Sequence, residues 1–526
     1  MNIRMWRLVL TLGGASALLL SACDDGDPGT DAGSRRDGGG SDTDAGPPGD
    51  GGTTTGSCSD EANVQFVTGE ISSDTTWSCP NLYVLQGAVF VTNGAVLTID
   101  AGVEVLGDTS GANAASLIVT RGSRIEANGT AAAPIVFSSG ANIGSRASGD
   151  WAGVALLGSA TTNTGNDCSI PGACMAGTGD FFEKNIEGIP VTDVRGFYGG
   201  DDDSSSCGTL RYVRIEFAGR ELSPNNELNG LTLGACGSGT TISHVQVHRG
   251  KDDAIELFGG TANLDHIVLT GASDDSLDFD EGWRGNAQFV VIHQYPSLGD
   301  RGIESDNLGS NEAAEPRTEA NLWNFTMIGT SDNKWALHRE GMLGIMGNFV
   351  VTGYGAPVDV NANTEDPNNY WPARFVYQNG VFNMNGAFPP EDLDDAGVCT
   401  EAMSSWTGSP AWVDASCDDL SSQPDQQSHY DDVASDRRDD DFGFDESALL
   451  MAAERNNTFD VDPMFSSVSP ASPSFVPGNA SLPAGGTPVF NANAPSGFGD
   501  TSATYVGAID PAGDDWTEGW TAYPTN

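Results

Sequence analysis

Lys251-Asp252-Asp253-Ala254-Ile255-Glu256-Leu257 and Ser273-Asp274-Asp275-Ser276-Leu277-Asp278-Phe279 follow one pattern: two acids, then a third acid held between apolar residues. Asp274 minus Asp252 gives 22, and so does His266 in LDHIVLT minus His244 in ISHVQVH. A unit this short, alternating apolar and polar residues, cannot bury its apolar side alone. It must stack on copies of itself. No helical pattern of ten to fifteen residues separates the units, which argues against βαβ architecture. The pattern predicts a coil of short parallel strands, with apolar side chains turned into a narrow core and backbone groups paired with the turns on either side.

The same texture begins near Leu82 and runs through LYVLQGAVFV, AVLTIDAGVEVLG, SLIVTRGSRIEANG, PIVFSSG and WAGVALLG. The 68 glycines suit a turn-rich β protein. Residues 24–60 are a Gly/Asp-rich tether with too few apolar side chains to fold. The coil is expected over 61–384 and an acidic, disulfide-stapled loop with one short helix capped by Asp445 over 385–457. Residues 458–526 are expected to cap the last turn.

Arg4 and Arg7 precede the apolar run Leu8 to Leu20, and Leu20-Ser21-Ala22-Cys23 looks like a bacterial lipobox. Residues 1–23 are therefore expected to be a lipoprotein signal with Cys23 lipidated. Such an anchor would tether the chain to the cell envelope, at the outer membrane or cell surface. The other eight cysteines form an even set in an oxidising context, and their order suggests Cys58–Cys79, Cys168–Cys174, Cys207–Cys236 and Cys399–Cys417. A formal net charge of −50 disfavours nucleic acid as a partner.

GAVLTIDAGVEV, GDWAGVALLG, LRYVRIEFAG, DDAIELFGGTANLDHIVLTGASDDSLDFDEGWRG and the terminal YVGAIDPAGDDWTEGW resemble a family of secreted bacterial right-handed parallel β-helix lipoproteins, broadly similar to the pectate-lyase-like superfamily. The resemblance implies an all-β fold: a single-stranded right-handed parallel β-helix solenoid with long loop insertions and a C-terminal cap.

Read by side-chain parity, Ile255, Leu257, Leu277, Phe279, Ile303, Leu337, Val358 and Val360 face inward. This places two columns outward: Glu256, Asp278, Glu304, His338, Asp359, and beside it Phe258, Asp280, Asp306, Glu340, Asn361. Carboxylates stacked at about 4.8 Å raise one another's pKa unless something intervenes. Three resolutions are open. Ca²⁺ could be held by Glu256, Asp278, Asp280, Glu304 and Asp306; Arg284, Arg301 or Arg339 could pair with them; or the acids splay into water. His244 and His266 read as stacked structural residues. Trp283, beside the acids, is the best sugar-stacking candidate, with His338, Glu340 and Asp359 as weaker ligand-binding candidates.

The preferred reading is a lipid-anchored surface protein that binds a glycan or other matrix ligand through a cation-assisted acidic face. An alternative is a polysaccharide lyase or glycoside hydrolase at that face, with Lys251, Arg284 or Arg301 as base. A purely structural envelope protein is the third.

Overall fold

Traced from Ile255, one turn of the coil shows how the repeat folds. Strand Ile255–Phe258 lays one wall. The chain turns at Gly259, whose φ of 64° suits glycine, and enters the longer strand Asn263–Thr270. That strand bends in its middle at His266 (φ 55°), dividing it between two walls. A corner at Gly271 returns the chain to Leu277–Asp280, paired in register above its starting strand: Ile255 with Leu277, Glu256 with Asp278, Leu257 with Phe279. Ile255, Leu257, Leu264, Ile267 and Leu269 fill the centre, fully buried.

The computed structural model describes residues 56–111, 114–164, 183–223, 226–308, 311, 313–331, 333–361, 375–383 and 450–526. Within them 25 strands, every pairing parallel, form one continuous sheet wound as a right-handed parallel β-helix. Its paired strands run from Asp60 to Asn383 and take in Thr458–Phe459 at the end. Cys58–Cys79 and Cys207–Cys236 are disulfides, with Cα atoms 5.6 Å and 5.7 Å apart. Cys23, Cys168, Cys174, Cys399, Cys417 and Asp445 lie outside the described residues. Among the described residues no helix is long and apolar enough to cross a membrane.

The mid-strand bend explains the recurring histidines. Tyr212, His244, His266, Phe289 and Asn324 occupy it on successive turns, each with positive φ. The His244 and His266 rings stack in parallel, 4.4 Å apart at 8°.

The last 67 residues depart from the expected end cap. Thr458–Phe459 extends the last turn, but the chain beyond it lies along the side of the coil as a strap. Phe475, Ala508, Ile509 and Trp520 pack on the outward Val268, Val291 and Ile328. Gln246 clasps Ala522 through both backbone groups, and Asn286, Gln288, Asn324 and Asn348 hold strap backbone or side chains in the same way. The strap explains why strands such as NAQFVVIH are apolar on both faces. Each outward Val or Ile it covers contributes about 1.5–3 kcal/mol, and each covering amide satisfies backbone that would otherwise be buried unpaired.

Candidate functional site

One outward column can be traced over nine turns: Glu70, Phe90, Ile118, Ala155, Thr232, Glu256, Asp278, Glu304, Leu337. Its first part is apolar and roofed. Ile186 and Tyr198, from the loop carrying the antiparallel strands Lys184–Asn185 and Phe197–Tyr198, pack on Phe90, Ile118, Ala155 and Leu157. Arg195 lies over the Phe90 ring at 3.9 Å and pairs with Glu70 at 2.9 Å. At Glu256 the column changes to acid. Asp280 and Asp306 flank it two residues on, since Asp306 N–H donates to the Phe279 carbonyl one turn back.

A second row of acids, Asp253 and Asp275, precedes these strands. Each uses a side-chain oxygen as a splice between turns. The Asn229 Oδ1 accepts from Asp253 N (3.1 Å), Asp253 Oδ1 from Asp275 N (2.9 Å) and Asp275 Oδ1 from Arg301 N (2.6 Å). This is the structural reason for the Asp-Asp doublets. The second Asp of each bonds the next turn, while Asp252 and Asp274 lie further out.

Both ends of the face are neutralised by cations. At one end Lys184 reaches Glu281, which also accepts from the Tyr198 hydroxyl at 2.8 Å. Burial would lower the Lys184 pKa, but Glu281 and Asp280 outweigh it and the ammonium is held charged. At the other end Arg339 grips Asp306 with two nitrogens, at 2.9 Å and 2.6 Å, and contacts Glu304. Arg301 pairs with Glu304 at 3.1 Å and with Asp300. Burial pushes Glu304 upward, yet a hydrogen bond with Asp275 and the two guanidiniums hold it below the usual carboxylate range. Burial and Glu304 push Asp275 well above the usual range.

Among the described residues the middle has no ion-pair partner of this kind. Oxygens of Asp253, Glu256 and Asp278 lie within 4.8 Å of one another. Burial, then the neighbouring carboxylates, push all three well above the usual range. Asp280 is raised by burial and Glu281 despite Lys184. Among the described residues, one buried oxygen each of Asp278 and Asp280 has no hydrogen-bond donor. Crowded carboxylates with unsatisfied oxygens form a donor set for a hard cation, which takes six to eight oxygen ligands in flexible geometry. Asp253, Glu256 and Asp278 would hold such an ion. His244, Asp265 and His266 also cluster closely, but parallel rings 4.4 Å apart direct their nitrogen lone pairs into separate planes, and no single ion lies in both.

The structure brings together the predicted Glu256, Asp278, Asp280, Glu304 and Asp306 and corrects the placement of the residues on the later turns. Ile303 pairs with Ala336 rather than Leu337, so Glu304 meets Leu337 and Ser305 meets His338. His338 points into the core, fully buried, with Nδ1 2.5 Å from Ser305 Oγ and Nε2 against the Tyr377 hydroxyl. Burial drops its pKa to about 3. Leu337, flanked by Ala336, made the parity ambiguous. Arg339 therefore takes the place expected of Glu340, which sits at the next corner with φ 59°. Asp359 stands opposite Leu337 by backbone register. Trp283 is no platform: it is fully buried, 5.0 Å from Phe279, and its indole N–H donates to the Ala262 carbonyl. Arg284 serves a loop, bonding Asp203, Thr161 and the Gly282 carbonyl. Lys251 is exposed on the turn before the acid face, near enough to Asp274 to influence it. Sequence reading missed Lys184, Tyr198, Asp253 and Asp275 as parts of the face. For Lys184 the one available signal was rarity, as one of three lysines.

A family profile described as a pectate-lyase like beta helix domain matches residues 69–388, more than half of the chain and all of the acid face. The chain belongs to the pectate-lyase-like β-helix family. That membership supports a carbohydrate-related function. No curated protein and no solved structure gives a match.

Proposed function

We propose that this pectate-lyase-like protein is an envelope lipoprotein that binds a divalent cation, calcium above all, on its acid face and through it an anionic carbohydrate. The supporting observation is the uncompensated centre, where Asp253, Glu256 and Asp278 crowd together between the cation-paired ends of one face. A bound cation would relieve that crowding and reverse the local sign of a face that otherwise repels polyuronates. Binding without cleavage fits the charge state of the basic side chains there: Lys184 and Arg339 are held protonated by carboxylates, a poor state for a general base. The test is retention of a polyuronate on immobilised protein with calcium and with chelator. Calcium-dependent retention of polymer of unchanged length is expected. An unsaturated product absorbing in the ultraviolet would establish a lyase instead, and no retention in either condition would remove the reading.

The anchor belongs to the same proposal and rests on the run Leu8 to Leu20 leading into Leu20-Ser21-Ala22-Cys23. Metabolic labelling with a radioactive fatty acid is expected to mark the protein and to disappear in Cys23→Ser. Equal labelling of both would exclude lipidation at this cysteine.

A further inference from the structure

Among the described residues the strap is the element that lies on histidines. His248 and His293 occupy one outward column of the covered wall, which runs Glu216, His248, Thr270, His293, Ile328. Both rings are at least 98% buried.

The neutral ring satisfies the hydrogen bonds that His248 makes. His248 Nε2 donates to the strap carbonyl of Pro524 (2.8 Å), which leaves Nδ1 to accept from the Thr270 hydroxyl (2.7 Å). His293 bonds the Val468 backbone of the strap, and its Nδ1 is buried with no partner among the described residues. A second proton on His293 would therefore be a buried N–H without an acceptor. A proton on His248 would reverse the Thr270 bond, with Nδ1–H donating to the hydroxyl, and would leave a full positive charge buried under the strap.

The surroundings offer little to offset a positive charge. Around His248 stand Arg249, Arg214, Tyr295 and Tyr523. The neighbouring carboxylate, Glu216, is already paired with Arg214 at 3.1 Å, and Arg214 also donates to the strap carbonyl of Trp520. Around His293 stand Tyr295 and Phe475. A third ring, His244, meets Trp516 and Trp520 edge-on beside His266, Asp265 and Arg211.

We infer that the strap is an acid-released clamp: His248 and His293 latch residues 460–526 to the wall while neutral, and their protonation lets the strap go while the coil stays wound. Burial is the leading cause in both cases, and it holds the His248 pKa at about 3 and the His293 pKa at about 4. A histidine depressed in the docked state contributes docking stability that is full above its free value of about 6.5. That stability is lost as pH falls from there towards the docked value. Between pH 7.5 and pH 5 each ring then shifts the open-to-closed ratio by about thirtyfold, and the two together by about a thousandfold.

Hydrogen exchange on the full chain, corrected for intrinsic rates at each pH, reads this directly. Peptides from 505–526 should lose protection as pH falls from 7 to 4.5, while strands such as Leu277–Asp280 keep theirs. In His248→Gln with His293→Gln, which retains donors but cannot be charged, the opening should move down by at least about one pH unit. Each single variant should retain about a thirtyfold response, which keeps the test usable if the double variant folds poorly. Opening of the variants at the wild-type pH would overturn the clamp, and so would loss of strap and coil protection together in the wild type.

Discussion

Calcium added to the metal-free protein at pH 7.5 is expected to raise its melting temperature, and Asp278→Asn is expected both to abolish that rise and to melt above wild type without calcium. The two halves have one cause. Asp278 is pushed up by burial and by Glu304 and Asp306, and one of its oxygens is buried without a donor. At pH 7.5 the metal-free fold must hold that carboxylate protonated or tolerate its charge. Neutralising it therefore stabilises the apo protein, by about 2 kcal/mol, below the cost usual for breaking a buried ion pair. The same substitution removes a ligand oxygen charge, so the linkage gain, about 2.7 kcal/mol at calcium a hundredfold over Kd, disappears. The pH dependence carries the same sign. Asp253, Glu256, Asp278 and Asp280 have folded pKa values raised above the unfolded ones. Their contribution is complete below the unfolded value of about 4 and is lost as pH rises through the raised values. Calcium should flatten that decline. Thermal melts at pH 5 and 8, with calcium and with chelator, decide it. A wild type indifferent to calcium and less stable at pH 5 than at pH 8 in these coil-reporting melts would contradict both the site and its electrostatics.

Arg339→Met is the substitution expected to cost most at the face, about 3 kcal/mol, the low end for breaking a buried pair because the arginine is one-third exposed. It leaves Glu304 and Asp306, 12% and 18% exposed, without their shared guanidinium. Adding Asp306→Asn to Arg339→Met should restore about half of the loss, since an amide at that place needs no counter-charge. Denaturant melts of the two single variants and the double variant measure the coupling. Additive losses would show that Arg339 acts through packing and not as counter-ion.

The part of the face legible in sequence is the part where the 22-residue period holds. Glu256 over Asp278 comes from the repeat, and Glu304 from Ile303 as an unambiguous inward neighbour. Legibility ends at Trp335-Ala336-Leu337-His338, where apolar residues fall on both parities and a one-residue choice inverts every side chain. Ser305 and Tyr377 decide that choice by giving the buried His338 its partners, and Tyr377 is 39 residues away in the chain. Trp283 departs from its expected place for a related reason. Its position beside the acids in sequence is real, but its indole fills core space against Phe279 and finds its acceptor at Ala262.

Short-range alternation and a fixed period were enough to determine a parallel coil, its inward residues and the stacking of like acids, because strand parity and rung pairing are local rules applied again and again. The counter-ions could not be read that way. Lys184 arrives from a loop outside the period, and Arg339 reaches its column only through a register set by distant packing. The strap's place on the wall likewise depends on contacts such as Gln246 with Ala522, 276 residues apart. Charge compensation and burial act through space. Only the tertiary structure decided which acids were paired, which were left crowded, and which histidines were covered.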